Sequence, residues 1–79
     1  MNYHKMLPQF KENLEVIENE ALDSLPFLNL PHFESQLVDI FFNYPEDPDA
    51  LEAVRITYDF ILSLYTTSLK ASFLNRISG

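Results

Sequence analysis

The sequence contains no cysteine and no tryptophan, and its one glycine is the last residue, Gly79. Each absence removes a class of chemistry. Without cysteine there is no disulfide to staple a small fold and no thiolate to bind zinc or an iron–sulfur cluster. Without an internal glycine there is no phosphate-cradling loop, and no glycine-built elbow or oxyanion loop for a nucleophile. Basic residues are scarce too. Five Lys and Arg stand against twelve Asp and Glu, for a net charge of −7, and the five are scattered. Nucleic-acid phosphates and anionic membrane surfaces are therefore not expected partners. The most apolar window, Phe60 to Leu69, is much shorter than the roughly 20 residues a membrane-spanning helix needs. The N-terminal stretch MNYHKMLPQF has no apolar core of a signal peptide. These absences give the expectation of a cytoplasmic protein that is not an enzyme.

What the sequence does have is apolar surface. Hydrophobic residues make up 47% of its 79 residues and aromatics 14%. A chain of this length buries only about 60% of the surface that its unfolded form exposes. Such chains lean on disulfides, metals or oligomerisation. Disulfides are ruled out. His4 and His32 are far apart and share no ligand spacing with an acid or a second histidine, so neither a metal nor another cofactor is expected. A second copy or another protein remains as the source of added stability.

The hydrophobic periodicity predicts a single all-α domain over residues 1–79, a three-helix bundle with a long C-terminal helix that dimerises. Helix 1 is expected over about 7–24, helix 2 over about 31–44 and helix 3 over about 48–77. In helix 1, Tyr3, Leu7, Phe10, Leu14, Ile17, Ala21 and Leu25 share one stripe, and Pro8 fits the first helical turn, with 2–6 as a docked arm. Two prolines mark Leu25 to Pro31 as a linker, whose Phe27, Leu28 and Leu30 would plug one end of the bundle. Helix 2 turns Phe33, Leu37, Ile40, Phe41 and Tyr44 inward and leaves Val38 and Phe42 pointing elsewhere. Asp47 as N-cap and Pro48 in the first turn open helix 3, Gly79 is a candidate C-terminal cap, and Thr66 to Ser68 is a candidate break.

Helix 3 organises the chain. It carries two apolar stripes. Leu51, Val54, Tyr58, Ile61, Leu62, Tyr65 and Leu69 form one, read as the core face; Ala53, Ile56, Phe60, Leu64, Ala71 and Leu74 form the other. A thin line of small polar residues, Thr57, Ser68 and Asn75, runs between them on one side, and a charged strip that includes Glu52, Arg55 and Asp59 on the other. A helix apolar on two sides must be covered on two sides. A flat row with helix 3 in the middle would do this within one chain, but a five-residue linker reaches only about 17 Å, against the 16 to 20 Å such a crossing demands. The expectation is therefore a bundle whose second stripe meets another chain. The candidate interface is Ile56, Phe60 and Leu64, with Val38 and Phe42 beside them and Arg55 at the rim, paired along its own helix with Glu52 and Asp59.

Asp23-Ser24-Leu25 resembles the tripeptide on whose serine acyl carrier proteins bear phosphopantetheine. That resemblance implies a modified Ser24 at the start of a second helix. Pro26, which follows at once, departs from the pattern. The acids Glu46, Asp47, Asp49 and Glu52 lack calcium-loop spacing and a loop glycine, and suit the positive end of a helix dipole. The expected function is that of a small acidic interaction module, an inhibitor, immunity protein, antitoxin or chaperone-like adaptor. Its partners would be itself and a larger protein client. The alternatives are a carrier modified at Ser24 and an acidic mimic of nucleic acid.

Overall fold

A computed structural model describes residues 3–45 and 49–78, and the side chains of all of these except 72, 73, 77 and 78. The regular structure of the described residues is entirely helical. Helix α1 spans Pro8–Asp23, a short 3₁₀ turn Leu25–Phe27, α2 Leu30–Asn43 and α3 Ala50–Ser78. Each of the three α-helices packs on the other two. The chain is thus a three-helix bundle and not a flat row.

The boundaries follow from local chemistry. Pro8 occupies the first turn of α1, where its missing N–H costs no hydrogen bond. At the entry to α2, the Asn29 side-chain oxygen accepts from the backbone N–H of His32 at 3.2 Å, capping a helix whose first turn also holds Pro31. The helix therefore begins one residue before its expected start. The α2–α3 connection at 46–48, with the Asp47 cap and Pro48, and the Gly79 cap lie outside the described residues. Helix α3 continues through Thr66 to Ser68 without a break. Thr66 and Thr67 donate their hydroxyls to the carbonyls of Leu62 and Ser63 one turn back, at 3.0 and 2.9 Å. Bonds of this kind let threonine sit in mid-helix without competing for other backbone groups. Ser68 instead donates to the Leu25 carbonyl at 2.7 Å, tying the 3₁₀ turn to the side of α3.

The core is built from Phe10, Leu14, Ile17 and Ala21 of α1, Phe33, Leu37 and Ile40 of α2, and Ala50, Ala53 and Ile61 of α3, with Tyr3 of the arm. The inward face of α2 is the one its periodicity predicts, with Phe41 and Tyr44 at the margin. In α1 the stripe holds from Phe10 to Ala21; of its expected ends, Leu7 precedes the helix and is half exposed, and Leu25 falls in the 3₁₀ turn, partly buried. Leu28 and Leu30 of the linker pack against the core, but Phe27 is 89% exposed and plugs nothing. The 3₁₀ turn, which closes with Phe27 N–H donating to the Ser24 carbonyl at 2.8 Å, carries its ring outward.

The largest correction concerns the phase of α3. Leu51 and Leu69, expected in the core, are 66% and 55% exposed, and Leu62 is also exposed. The buried residues are Ala50, Ala53, Thr57 and Ile61, flanked by partly buried Val54, Tyr58, Phe60 and Leu64. The core-facing strip is centred on the polar line between the two stripes, and each stripe supplies one of its flanks. The reason is packing. Val54 and Tyr58 lie beside Leu37 and Val38 of α2, so the helix that completes the bundle faces the opposite flank, where Phe60 and Leu64 sit. Alanine and threonine at the centre let α3 settle deep between two helices.

A buried hydroxyl on that central line needs a partner. Thr57 is fully buried, and its Oγ1 lies 2.6 Å from the Tyr3 hydroxyl. The same phenol donates to a carboxylate oxygen of Glu18 on α1. Tyr3 thus joins the arm, α1 and α3 through one oxygen atom. Burial, foremost, and the bond to Glu18 push its phenol above the ordinary tyrosine range, while the Thr57 contact works the other way. Above the ordinary value of 10.0 the unfolded chain releases a proton that the folded chain still holds, so the stability this group contributes is complete below pH 10 and is lost as pH rises beyond it. Replacing Tyr3 with Phe should cost about 1–2 kcal/mol at neutral pH, because Thr57 loses its buried partner. In urea unfolding from neutral to strongly alkaline pH, the Tyr3→Phe chain should also lose stability less steeply above pH 10 than the parent. Parallel profiles would show that the phenol is not held protonated.

Candidate protein interface

The outward side of the α2–α3 pair is apolar. Along α3 it carries Leu51, Leu62 and Leu69; along α2, one turn apart, it carries Val38 and Phe42, which are 45% and 72% exposed. These residues are outward for a geometric reason. Once Ala50, Ala53 and Thr57 take the core, the 100° step of a helix carries Leu51, Leu62 and Leu69 well round to the side. An open groove of about 260 Å³ runs between the two helices, with Leu37, Val38, Leu51, Val54 and Tyr58 along it and Glu34 and Arg55 also lining it.

Charge at the groove is mixed and solvated. Arg55 reaches Asp59 at 3.2 Å and Glu52 at 3.9 Å, one turn away in either direction, as its spacing predicts. All three side chains are more than half exposed. Exposed pairs of this kind contribute little to stability; here they hold the one guanidinium of the region beside an apolar surface.

The expected interface residues divide into two groups. Val38 and Arg55 meet at the α2–α3 groove, and Phe42 continues the Val38 face one turn further on. Phe60 and Leu64 lie on the other flank of α3, packed against the chain's own core, and Ile56 is half-buried on that same flank. The structure therefore does not bring the six together. Periodicity alone missed Leu51, Leu62 and Leu69 as surface residues. The signal that could have found them is the small-residue run Ala50, Ala53, Thr57, because two helices approach closely only over small side chains.

A second groove, between α1 and α2, is lined by Asn13, Val16, Ile17, Gln36, Asp39 and Ile40. It is the more polar of the two. Gln36 donates to Glu20 at 3.5 Å, and its buried carbonyl oxygen has no partner. Ser24 is half-buried at the C-terminal end of α1, its N–H bonded to the Glu20 carbonyl at 3.0 Å and its own carbonyl capping the 3₁₀ turn. It does not open a second α-helix, as the carrier-protein resemblance would require. Among the described residues, no three His, Asp or Glu side chains are grouped as metal ligands, and no helix is long and apolar enough to cross a membrane.

Comparison of the chain with models of protein families, with curated proteins and with solved structures finds no match. The surface itself is thus the only guide to function.

The two sides of α3 should respond differently to charge. Ile61→Asp places an unpaired carboxylate at a fully buried site and should cost several kcal/mol, enough to unfold a chain of this size. Leu69→Asp should change the stability of the isolated chain by no more than about 0.5 kcal/mol. Circular dichroism with thermal melting separates the two. Equal loss of helix in both variants would contradict the assigned phase of α3.

Proposed function

We propose that this chain is a small, acidic, cytoplasmic helical module that works by protein–protein contact, as an inhibitor, immunity protein, antitoxin or chaperone-like adaptor bound to a larger client, and that it also pairs with a second copy of itself. The observation that supports this reading is the run of exposed large apolar side chains, Val38, Phe42, Leu51, Leu62 and Leu69, on one side of the α2–α3 pair. Large apolar side chains left exposed in such number on one side of a small protein are the kind of surface that a partner covers. Acids around it, and a net charge of −7, favour a client with a basic rim around apolar anchors. The reading assigns the chain no catalytic step.

Two exposed residues test it with little risk to the fold. A tagged chain and its Val38→Asp/Phe42→Asp variant would be compared as baits in extract from the source organism. The parent should retain one protein in stoichiometric amount, with the variant losing at least about tenfold of it. Added salt should slow its capture, as expected for a basic rim meeting an acidic surface. Identical capture by both baits would overturn this assignment of the contact surface.

A further inference from the structure

The exposed side of α3 has a regularity that the core does not explain. Leu51, Arg55, Tyr58, Leu62, Tyr65 and Leu69 follow one another at alternate steps of four and three residues. That spacing is the seam of a two-stranded coiled coil, in which one helix lays a narrow apolar stripe along another. Here it lies on the side of the helix away from Ala53, Phe60 and Leu64. Leu51 and Leu69 at its ends are more than half exposed, and Tyr58 and Tyr65 are half-buried.

We infer that the occupant of this seam is α3 of a second copy, running antiparallel about a two-fold axis that passes between Tyr58 and Leu62. The inference rests on the reading of the chain as an interaction module, and it specifies which surface takes the second copy. The sequence of the seam is complementary to its own reverse. About that axis Leu51 faces Leu69 of the second copy, Tyr58 faces Leu62, and Arg55 faces Tyr65. Every layer pairs apolar with apolar except one, and in that layer a guanidinium meets an aromatic ring, a favourable pairing that tolerates partial exposure. A parallel pair would instead set Arg55 against Arg55, a direct repulsion of like charges.

Charge outside the seam agrees with the antiparallel direction. Glu52 of one copy comes level with the turn that carries Lys70 of the other. The two Asp59 side chains approach the axis, but each is already bound by its own Arg55 at 3.2 Å. The contact is isologous, so each layer away from the axis occurs twice and the pair closes without leaving a free seam. The seam is about 27 Å long and one helix wide, on the order of 300 Å² per copy from α3 alone. Val38 of α2 flanks it beside Leu51. That is small by the standard of permanent dimers, so association should depend on concentration.

The test uses the absence of native cysteine. Leu51→Cys and Leu69→Cys are prepared as separate chains, each at an exposed position, and oxidised singly and as a mixture. The mixture should yield a disulfide-linked dimer joining one chain of each kind, read by intact mass, while each chain alone should remain at least about tenfold less linked, because its sulfurs lie far apart across the axis. Light scattering of the parent chain should rise toward twice the 9.2 kDa monomer mass with concentration. Leu62→Asp, which acts at both layers next to the axis, should weaken this association at least about tenfold. Efficient linking of either chain to itself would show a parallel seam and overturn the inference. A parent chain monomeric up to about 1 mM, or a folded mixture that fails to cross-link, would overturn it as well. Capture of a client is scored separately, with the Val38→Asp/Phe42→Asp bait, so failure of the seam and failure of the client reading are read from different experiments.

Discussion

The hydroxyl pair Tyr3–Thr57 is the constraint on which the arrangement of the bundle depends. Thr57 sits at the centre of the buried strip of α3 with no exposed surface. A hydroxyl there, left without a partner, would carry a desolvation cost of about 1–3 kcal/mol. Its partner comes from the N-terminal arm, 54 residues away in the chain, so the seat of α3 is complete only with the arm folded back against it. Glu18 then fixes the same phenol from α1. The arm, α1 and α3 are thereby joined at one phenol oxygen. An apolar interior of this size specifies depth of packing more firmly than rotation. The Tyr3 bond specifies rotation, because turning α3 by one residue would carry Thr57 away from it.

That rotation decides what lies outside. With Thr57 at the centre, the two apolar stripes of α3 become the two shoulders of the buried strip, and their outer edges remain in solvent. Leu51, Leu62 and Leu69 form one such edge. The exposed surface follows from a helix whose apolar arc is wider than the groove between two others can cover. Length adds to it. At 29 residues, α3 is nearly twice as long as α1, with 16, and about twice as long as α2, with 14. Its last turns therefore project past the bundle beyond Ser68, the residue that the 3₁₀ turn holds through the Leu25 carbonyl.

Where each stripe had a single apolar face, the sequence was sufficient. The inward sides of α1 and α2 were legible from Phe10, Leu14, Ile17 and Phe33, Leu37, Ile40, because a one-faced helix has only one way to bury itself. The bundle was legible from the short linker, which would be stretched to its limit in a flat row. The phase of α3 was not. A two-faced helix has several rotations of similar hydrophobic content, and the deciding terms are non-local: the size of Ala50 and Ala53, which permits close approach, and the hydroxyl of Tyr3, which rewards one particular threonine. Periodicity weighs residues by hydrophobicity and counts Thr57 against the core. The same error of phase moved Phe60 and Leu64 to the candidate surface and hid Leu51, Leu62 and Leu69 from it, while Val38 and Phe42, read from a one-faced helix, were placed correctly as exposed.

The exposed edge of α3 also bears on why a chain this small keeps a helix this long. Shortening α3 to the 16 residues of α1 would end it at Tyr65 and remove Leu69 and the turns beyond, along with the Ser68 bond to the Leu25 carbonyl. What those turns do have is the alternation of four and three that continues from Leu51. In a monomer the core accounts for only part of that alternation: Tyr58 packs against the core from its flank, whereas Leu51, Leu62 and Leu69 are exposed. A helix surface under no constraint but solubility would drift toward Lys and Glu at such positions. Leucine and tyrosine at five of the six seam positions, with arginine at the one that an antiparallel mate would cover with tyrosine, is the composition expected where the helix has a second surface to meet. In the proposed pair the length of α3 matches the length of the seam, and the bundle, through the Tyr3–Thr57 contact, holds that helix at one rotation.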